Sequence, residues 1–462
     1  MQSITFQSRI PAPASALFAW HERPGAFQRL TPPWAPVSVK RMEGIRDGQQ
    51  AVIRLGYGPA SVEWVAEHHS YIEGAQFADT QLKGPFAAWD HVHKMVPAED
   101  ETSFIIDDIT YRLPLGPLGQ AVGGRAIRSE LKRQFAYRHR VTQADLGLHQ
   151  RYNAAGRSLR VAVTGASGLV GSALTALLTT GGHEVVRLVR RPAQGPDEVQ
   201  WSVQDGFIEA EKLEGLDALI HLAGENVFAL RWTAAKKARI LRSRADGTRL
   251  LAETLAGLQA PPGAFLSASA IGYYGDHGAQ KIFEDAAPRD AGFLSEVCVA
   301  WEEATAPAVE AGIRTALMRI GVVLTPSGGA LQLMLPPFQL GLGGAIGPLK
   351  QHLSWITLDD LVGAIYHLFW TDVAGPVNMT APEPATMHTY AKTLGRVLRR
   401  PAVLNVPSVA VKSVMGEAAD EILLQSARVI PQRLLDTGYA FQYPDLQPGL
   451  AHLLGKTLKV GG

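Results

Sequence analysis

The stretch RVAVTGASGLVG, residues 160–171, decides the fold of the larger part of this chain. A short apolar run leads into Gly165, Gly168 and Gly171, and an apolar helical pattern follows. The first glycine permits a tight turn, the second lets a pyrophosphate approach the backbone, and the third lets helix and strand pack closely. This order predicts a dinucleotide site at a helix N-terminus, with Ser167 as an additional donor to the phosphates. The alternative is a tight turn without a ligand.

Predicted strands and helices continue to alternate beyond this motif. The runs HEVVRLVRR, DALIHLAG and TALMRIGVVL read as further strands between helical patterns. Such alternation is typical of an α/β protein with a doubly wound parallel sheet, the Rossmann architecture. We therefore expect a Rossmann domain over residues 159–395 and, because helical patterns return near the C-terminus, a helical module over residues 396–462.

Two arginines indicate which dinucleotide is bound. About 20 residues past the glycines, where NAD sites carry an acidic residue, the chain has Arg190 and Arg191. Because a guanidinium group can hold a phosphate through two hydrogen bonds, the pair favours the 2′-phosphate of NADP(H) over NAD. A solvated basic strand end is the alternative. Further along, the small residues Ala223 and Gly224 would let the ribose and nicotinamide lie close to the backbone.

Four motifs carry a family resemblance: TGASGLVG, HLAGENV, SASAIGYYG and SWITLDDLV. They resemble the extended and atypical short-chain dehydrogenase/reductase superfamily, and more narrowly its NAD-dependent epimerase/dehydratase-like branch. The resemblance extends from about Leu159 to Gly455 and includes the C-terminal module that accompanies this branch. It places Ser269 where the superfamily keeps its catalytic serine. It also implies cofactor contacts at Gly165, Ser167, Gly168, Leu169, Val170, Arg190, Leu222, Ala223 and Gly224.

The superfamily's proton relay, Tyr-x-x-x-Lys, is missing. None of the 11 tyrosines is followed four residues later by lysine, and Leu294 and Cys298 occupy the two positions when Glu302 is taken as the anchor. As a replacement acid we favour Tyr273, one short turn after Ser269. The other candidates on this loop are Tyr274, Asp276, His277 and Glu284, and the alternative is that both tyrosines pack beneath the loop. Cys298, within a helical apolar pattern, is expected to be a buried hydrophobe and not a nucleophile.

Residues 1–150 follow a different pattern. Alternating runs such as TSFIIDDITYRL predict an antiparallel sheet with one solvated face, and residues 118–145 switch to helical spacing. The segment 151–158 reads as a linker. With the motif PAPASALFAWHERPGAFQRLTPPW, this order resembles the START-like, polyketide-cyclase-like helix-grip fold, an α+β fold that encloses an apolar cavity. The resemblance implies a hydrophobic ligand, with an ordinary core as the alternative. The aromatic residues expected to line the pocket are Phe18, Trp20, Phe27, Trp34, Trp64, Phe86 and Trp89.

No metal site is expected. His91 and His93 alternate on one face of a predicted strand, as two ligands would, but the sequence offers no clear third ligand. Cys298 is the single cysteine, which excludes intrachain disulfides and cysteine-based zinc sites.

The composition indicates which classes of binding partner to expect. A net charge of +1 gives no support for nucleic-acid binding, and no apolar run approaches the roughly 20 residues that a membrane-spanning helix requires. The N-terminus lacks the pattern of a signal peptide. The sequence therefore predicts a cytoplasmic protein that acts on a small molecule, without a nucleic acid or a membrane as partner.

The leading functional prediction is an NADP(H)-dependent oxidoreductase or epimerase with a fused ligand-binding domain. Ser269 would orient a substrate oxygen, and Tyr273 would supply the proton. Because the usual relay is absent, a non-catalytic NADPH-binding sensor or regulator is the alternative. A third possibility is that the N-terminal domain performs chemistry alone, with the Rossmann domain as its scaffold.

Overall fold

The computed structural model describes residues 1–56, 58–153, 155–228, 231–289 and 292–457. The chain divides into two compact units. The first comprises Met1–Arg157 together with Thr179–Gly182, and the second comprises Ser158–Leu178 and His183–Gly462. Within the described residues, no helix combines the length and the apolar character that crossing a membrane requires.

The first unit is built on an antiparallel sheet. Its described strands are β1 (Gln2–Ile10), β2 (Val37–Met42), β3 (Gln50–Leu55), β4 (Val62–Ile72), β5 (Gln76–Lys83), β6 (Ala88–Pro97) and β7 (Ser103–Arg112). Their order is β1-β7-β6-β5-β4-β3-β2. Strand β6 shows why the sequence folds this way, since alternate residues, Trp89, His91, His93 and Met95, are buried. The predicted antiparallel sheet is therefore confirmed.

Helices cover one face of this sheet. They are α1 (Ala14–Glu22), α2 (Ala26–Leu30) and α3 (Gly116–Asn153). The expectation of a linker from residue 151 is wrong at its start, because α3 continues to Asn153. There the Asn153 side chain accepts from the Arg157 N–H at 2.9 Å and donates to the Arg157 carbonyl at 2.8 Å. Side-chain bonding to the main chain thus replaces the helical hydrogen bonds that end at this point.

A cavity of about 800 Å³ lies within the first unit. Five of the seven aromatic residues predicted to line it do so, namely Phe27, Trp34, Trp64, Phe86 and Trp89. The prediction is wrong for Phe18 and Trp20, which pack in a core with Leu17 and Ile105. Because successive residues of a helix point in different directions, only some aromatic residues near α1 can face the cavity.

The second unit contains a parallel sheet. Its order is β11-β10-β9-β8-β12-β13-β15-β19. Among the described residues of this sheet, only the short strand β11 runs antiparallel to its neighbour, β10. This is the Rossmann order, and the predicted doubly wound sheet is confirmed. The described strands of the unit are β8 (Arg160–Thr164), β9 (Glu184–Val189), β10 (Glu198–Ser202), β11 (Phe207–Ile208), β12 (Ala218–His221), β13 (Ala264–Ala270), β14 (Lys281–Ile282), β15 (Arg314–Ile320), β16 (Val322–Leu324), β17 (His352–Leu353), β18 (Trp355–Thr357), β19 (Gly375–Met379), β20 (Ala385–Thr386) and β21 (Arg428–Val429).

Helices pack around this sheet and continue to the C-terminus. They are α4 (Leu169–Thr180), α5 (Ala234–Ala256), α6 (Phe293–Glu303), α7 (Ala306–Glu310), α8 (Gly329–Gln339), α9 (Leu358–Leu368), α10 (Met387–Leu398), α11 (Ser408–Met415), α12 (Glu417–Ala419), α13 (Gln432–Asp436) and α14 (Leu446–Leu453). A core around Trp355, Tyr390 and Leu450 joins α10 and α14 to the rest of the unit. The C-terminal helices therefore share a core with the Rossmann part.

Candidate dinucleotide site

The glycine turn between β8 and α4 leaves no room for a side chain at Gly165 or Gly171. Gly165 has a φ of +68°, and a Cβ there would lie 3.0 Å from the Leu222 carbonyl carbon. A Cβ on Gly171 would lie 2.2 Å from the Gly165 carbonyl oxygen. Ser167 and Gly168, immediately before α4, are exposed. The turn therefore presents main-chain groups at a helix N-terminus, and this cradle fits a pyrophosphate.

The strand order reverses between β8 and β12, and their ends are joined by a hydrogen-bond network. The Thr164 hydroxyl accepts from the N–H groups of Leu222 at 3.0 Å and Ala223 at 3.1 Å. It lies 2.7 Å from Nδ1 of His221, to which it donates, since both of its acceptor positions are used. Burial lowers the pKa of His221 to about 3, so the ring is neutral. We did not predict this pair from the sequence, although a Thr and a His at the ends of two predicted adjacent strands could have indicated it.

The two arginines predicted to hold a 2′-phosphate have different roles. Both follow β9 and both are exposed. Arg191 binds the buried carboxylate of Glu198 through two hydrogen bonds of 2.7 and 2.6 Å. These bonds and the N–H of Gln194 hold the pKa of Glu198 at about 2. Arg190 makes no hydrogen bond or ion pair with any described residue. Of the pair, Arg190 is therefore the arginine available to a ligand.

The segment after β12 is shaped by a half-buried arginine. Arg244 donates to the Glu225 carbonyl at 2.9 Å, and its guanidinium lies 5.0 Å from the centre of the Trp301 ring. A Cβ on Gly224 would lie 3.2 Å from the Arg244 Cζ atom. Gly224 thus makes room for Arg244, and its contact with the cofactor stays a prediction.

Ser269 belongs to a buried polar network. Its hydroxyl donates to Oε1 of Glu302 at 2.7 Å. The Glu302 carboxylate also accepts from Nε and Nη2 of Arg319, at 2.8 and 2.7 Å. Ser269 is 2% exposed, and the side chains of Glu302 and Arg319 are 9% and 3% exposed. The Ser269 proton is therefore bound inside the protein. Sequence reasoning missed Arg319.

The two tyrosines of the following turn differ in accessibility. Tyr274 is fully buried, donates to Asn378 Oδ1 at 2.7 Å and accepts from Arg319 Nη1 at 2.9 Å. Burial raises the pKa of Tyr274 to about 12. Tyr273 is half-buried, and the Arg319 guanidinium lies 3.5 Å from the centre of its ring. A cation against the ring face fixes the orientation of Tyr273.

The other proposed acids are already engaged. Glu284 is buried and accepts two main-chain N–H groups, each at 3.2 Å. Asp276 and His277 bond main-chain groups of their own loop. The Tyr273 hydroxyl, in contrast, makes no hydrogen bond with another described residue. Tyr273 therefore stays the preferred candidate for the missing acid.

The positions of the absent relay are apolar. Leu294 and Cys298 lie on α6, close to Gly272. A Cβ on Gly272 would lie 3.5 Å from the Leu294 Cβ atom and 3.9 Å from the Cys298 sulfur. Burial raises the pKa of the Cys298 thiol to about 12. As expected, Cys298 is a buried hydrophobe, and these two positions offer no proton relay.

Comparisons with known proteins agree with this geometry. The sequence profile of the NAD dependent epimerase/dehydratase family matches residues 161–379, and that of a domain of unknown function, DUF1731, matches residues 406–453. An epimerase family protein of Mycobacterium bovis is 39% identical over 293 residues, which are 63% of this chain and 96% of that protein. The epimerase family protein SDR39U1 of Homo sapiens is 37% identical over 299 residues, which are 64% of this chain and 100% of that protein.

Two solved structures are similar. A nucleoside-diphosphate sugar epimerase from Corynebacterium glutamicum is 35% identical, has a TM-score of 0.79, and covers 98% of this chain and 90% of its own. Human SDR39U1, solved with NADPH, is 36% identical, has a TM-score of 0.59, and covers 64% of this chain and 99% of its own. Its NADPH agrees with the predicted cofactor. Given the glycine cradle, the strand order and these relatives, the chain belongs to the NAD dependent epimerase/dehydratase family.

Proposed function

We propose that the second unit binds NADPH, and the observation that carries this proposal is the free guanidinium of Arg190. Strands β8 and β9 are neighbours, with Thr164 opposite Leu188, so Arg190 and Gly165 both follow the carboxyl ends of adjacent strands. Ligands of open α/β sheets bind at this end. Arg190 would hold the 2′-phosphate, and the N–H groups around Gly168 would hold the pyrophosphate.

Replacing Arg190 by alanine is expected to remove the preference for NADPH. Loss of a hydrogen bond to a charged group costs about 1.5–3 kcal/mol, roughly a 10–100-fold weaker Kd for NADPH. The Kd for NADH should change little, because NADH has no 2′-phosphate. Arg191→Ala is the matched control. It should lower stability, since Glu198 loses its partner, while the ratio of the two Kd values stays near that of the wild type.

Calorimetric titration of the three proteins with NADPH and NADH checks this expectation. If Arg191→Ala abolished the preference and Arg190→Ala retained it, the assignment of the two arginines would be reversed. Equal loss of preference in both variants would mean that the two side chains share the phosphate.

We further propose that the site is enzymatic, of the oxidoreductase or epimerase type, and acts on a small molecule. When bound, the nicotinamide exchanges a hydride with the substrate. In this chain, the free Tyr273 hydroxyl would donate or accept the accompanying proton, and the Ser269 oxygen would orient the reacting group. The name of the Corynebacterium glutamicum relative makes nucleoside-diphosphate sugars the first substrates to test.

Tyr273→Phe should separate catalysis from cofactor binding. A general acid contributes about 10²–10⁴-fold to rate, so kcat should fall by that order while the Kd for NADPH is unchanged. Tyr443→Phe, at another half-buried tyrosine of the same unit, is the control. NMR of nucleoside-diphosphate sugars incubated with protein and NADP+ follows epimerisation, and NADPH absorbance follows any net oxidation of the sugar. Full activity in Tyr273→Phe would reject this residue as the acid.

A sensor or regulator is the second candidate, favoured by the apolar pair Leu294 and Cys298 at the relay positions. Such a protein would bind NADPH without consuming it. Retained NADPH binding with no turnover of any sugar nucleotide by wild-type protein would favour this candidate. It would also leave Tyr273 without a catalytic role.

We propose that the first unit is a START-like helix-grip domain that binds a hydrophobic ligand. Its cavity of about 800 Å³ has the size and aromatic lining of ligand pockets.

Ala35→Trp, at a lining position, is expected to reduce binding of a naphthalene-sulfonate fluorophore at least about tenfold, because the indole fills part of the cavity. Ala98→Trp, on a loop outside the lining, should bind the fluorophore like the wild type. Equal binding by both variants would place the fluorophore elsewhere. Activity of the chain on small molecules without NADPH would instead favour chemistry in the first unit alone.

A further inference from the structure

A cluster of histidines and aspartates lies on the inner face of the first unit's sheet. Strands β5, β6 and β7 are neighbours, and their register places Asp79 opposite His91 and His93 opposite Asp107. His91, His93 and Asp107 are buried, and Asp79 is largely so. Asp79, His91 and His93 line the cavity. Three potential ligands of an ion therefore meet at one wall of a cavity.

The distances within this cluster fit a single ion. Asp79 Oδ2 lies 3.2 Å from Nδ1 of His91 and 3.7 Å from Nε2 of His93. One ligand atom from each of the three residues lies within 4.8 Å of the others. Ligand atoms about 2.0–2.1 Å from a tetrahedral ion are separated by about 3.3–3.4 Å, so small side-chain adjustments would complete the coordination.

The opposite nitrogens of both rings face a second carboxylate. Asp107 Oδ1 lies 3.0 Å from Nε2 of His91 and 2.7 Å from Nδ1 of His93. Its other oxygen lies 2.6 Å from Nε2 of His139, whose Nδ1 is 2.9 Å from the Ser8 hydroxyl. Histidine ligands of metals characteristically donate their other N–H to a carboxylate, which fixes the tautomer. Asp107 has this relation to His91, and its Oδ1 lies close to Nδ1 of His93 without the angle of a hydrogen bond.

A further histidine is left with an unused nitrogen. His21, which also lines the cavity, has a buried Nε2 that forms no hydrogen bond within the described residues. The centres of the His21 and His93 rings are 6.2 Å apart. A buried imidazole nitrogen normally has a partner, and its absence here is a second indication of a missing ligand.

We propose that Asp79, His91 and His93 bind one divalent transition-metal ion, with Asp107 as the residue that orients both imidazoles. Two imidazoles and one carboxylate suit zinc, iron(II) or manganese(II) better than calcium or magnesium, which prefer oxygen ligands. The charge of the ion balances the two buried carboxylates. Because three protein ligands leave a coordination position facing the cavity, an oxygen atom of a cavity ligand would complete the shell. This site is separate from the proposed function of the second unit.

Metal titration of the full chain, without a polyhistidine tag and after chelator treatment, tests the proposal. Cobalt(II), followed by visible absorption, and zinc, followed by equilibrium dialysis, should bind at one ion per chain. Asp79→Asn and His93→Asn should each weaken binding at least about 100-fold, and Asp107→Asn by about 10–100-fold. His69→Asn is the control, since His69 pairs with Asp90 at 2.9 Å on the same sheet but is well exposed. Its affinity should equal that of the wild type.

The proposal is overturned if the wild type binds no stoichiometric ion, or if Asp79→Asn binds cobalt as tightly as the wild type. Either result would make the cluster a buried ion-pair network only. Should circular dichroism show that the Asp79 or His93 variants are unfolded, pulsed electron paramagnetic resonance of the cobalt-loaded wild type decides. Nitrogen couplings from two imidazoles are expected, and fewer than two would contradict the assignment.

Discussion

Replacing Gly171 by alanine is expected to abolish detectable dinucleotide binding. The added Cβ would lie 2.2 Å from the Gly165 carbonyl oxygen, so the main chain of the turn must move. A displaced turn no longer directs its N–H groups at a pyrophosphate, and we expect the Kd for NADPH to rise at least about 100-fold, or ~2.7 kcal/mol. Overpacking should also lower the free energy of unfolding by about 1–3 kcal/mol.

Gly263→Ala is the matched control in the same unit. The nearest atom to a Cβ at that position, the Asp217 carbonyl oxygen, is 3.6 Å away, an ordinary contact. This variant should bind NADPH like the wild type in a calorimetric titration. A Gly171→Ala protein that is folded and binds NADPH with unchanged affinity would show that the turn is not the phosphate cradle.

Among the variants described here, Arg319→Met is expected to cause the largest decrease in the free energy of unfolding. The change leaves the Glu302 carboxylate buried without its cation and removes a donor to the Tyr274 hydroxyl. Breaking a buried ion pair from one side costs about 3–5 kcal/mol. Urea denaturation followed by circular dichroism measures this loss. Ser269 and Tyr273 should also lose their fixed orientation, since both depend on the Glu302 and Arg319 pair.

Lys412→Met provides the comparison at an exposed ion pair. Lys412 lies 2.8 Å from Asp420, with both side chains about half exposed, and such a pair contributes about 0–1 kcal/mol. A double variant in which Glu302 and Arg319 are both methionine should regain part of the stability lost in Arg319→Met, because no charge is then buried alone. If Arg319→Met lowered the free energy of unfolding no more than Lys412→Met, the buried Glu302–Arg319 pair would not be a major source of stability.

Local patterns made part of the fold predictable. The glycines of the β8–α4 turn stand within seven residues of one another, and the constraints that require them are local to the turn. The alternation in β6 likewise follows from the geometry of one strand. In such cases the sequence indicates the structure directly, because the deciding contacts lie close together along the chain.

Contacts between distant segments were not predictable in the same way. Asp79 and His91 are partners only because β5 and β6 pair in one register, and a shift by one residue would turn Asp79 to the other face. Glu302 and Arg319 meet because α6 packs beside the sheet. For Arg190 and Arg191 the sequence offers two equivalent cations, and only the position of Glu198 distinguishes them.

Calorimetric titration of the wild-type chain with NADPH and, separately, NADH is the decisive test of NADPH binding by the second unit. We expect one NADPH to bind per chain, with a clearly weaker affinity for NADH. Absence of binding to either dinucleotide by folded protein would contradict it and reduce the glycine motif to a structural turn.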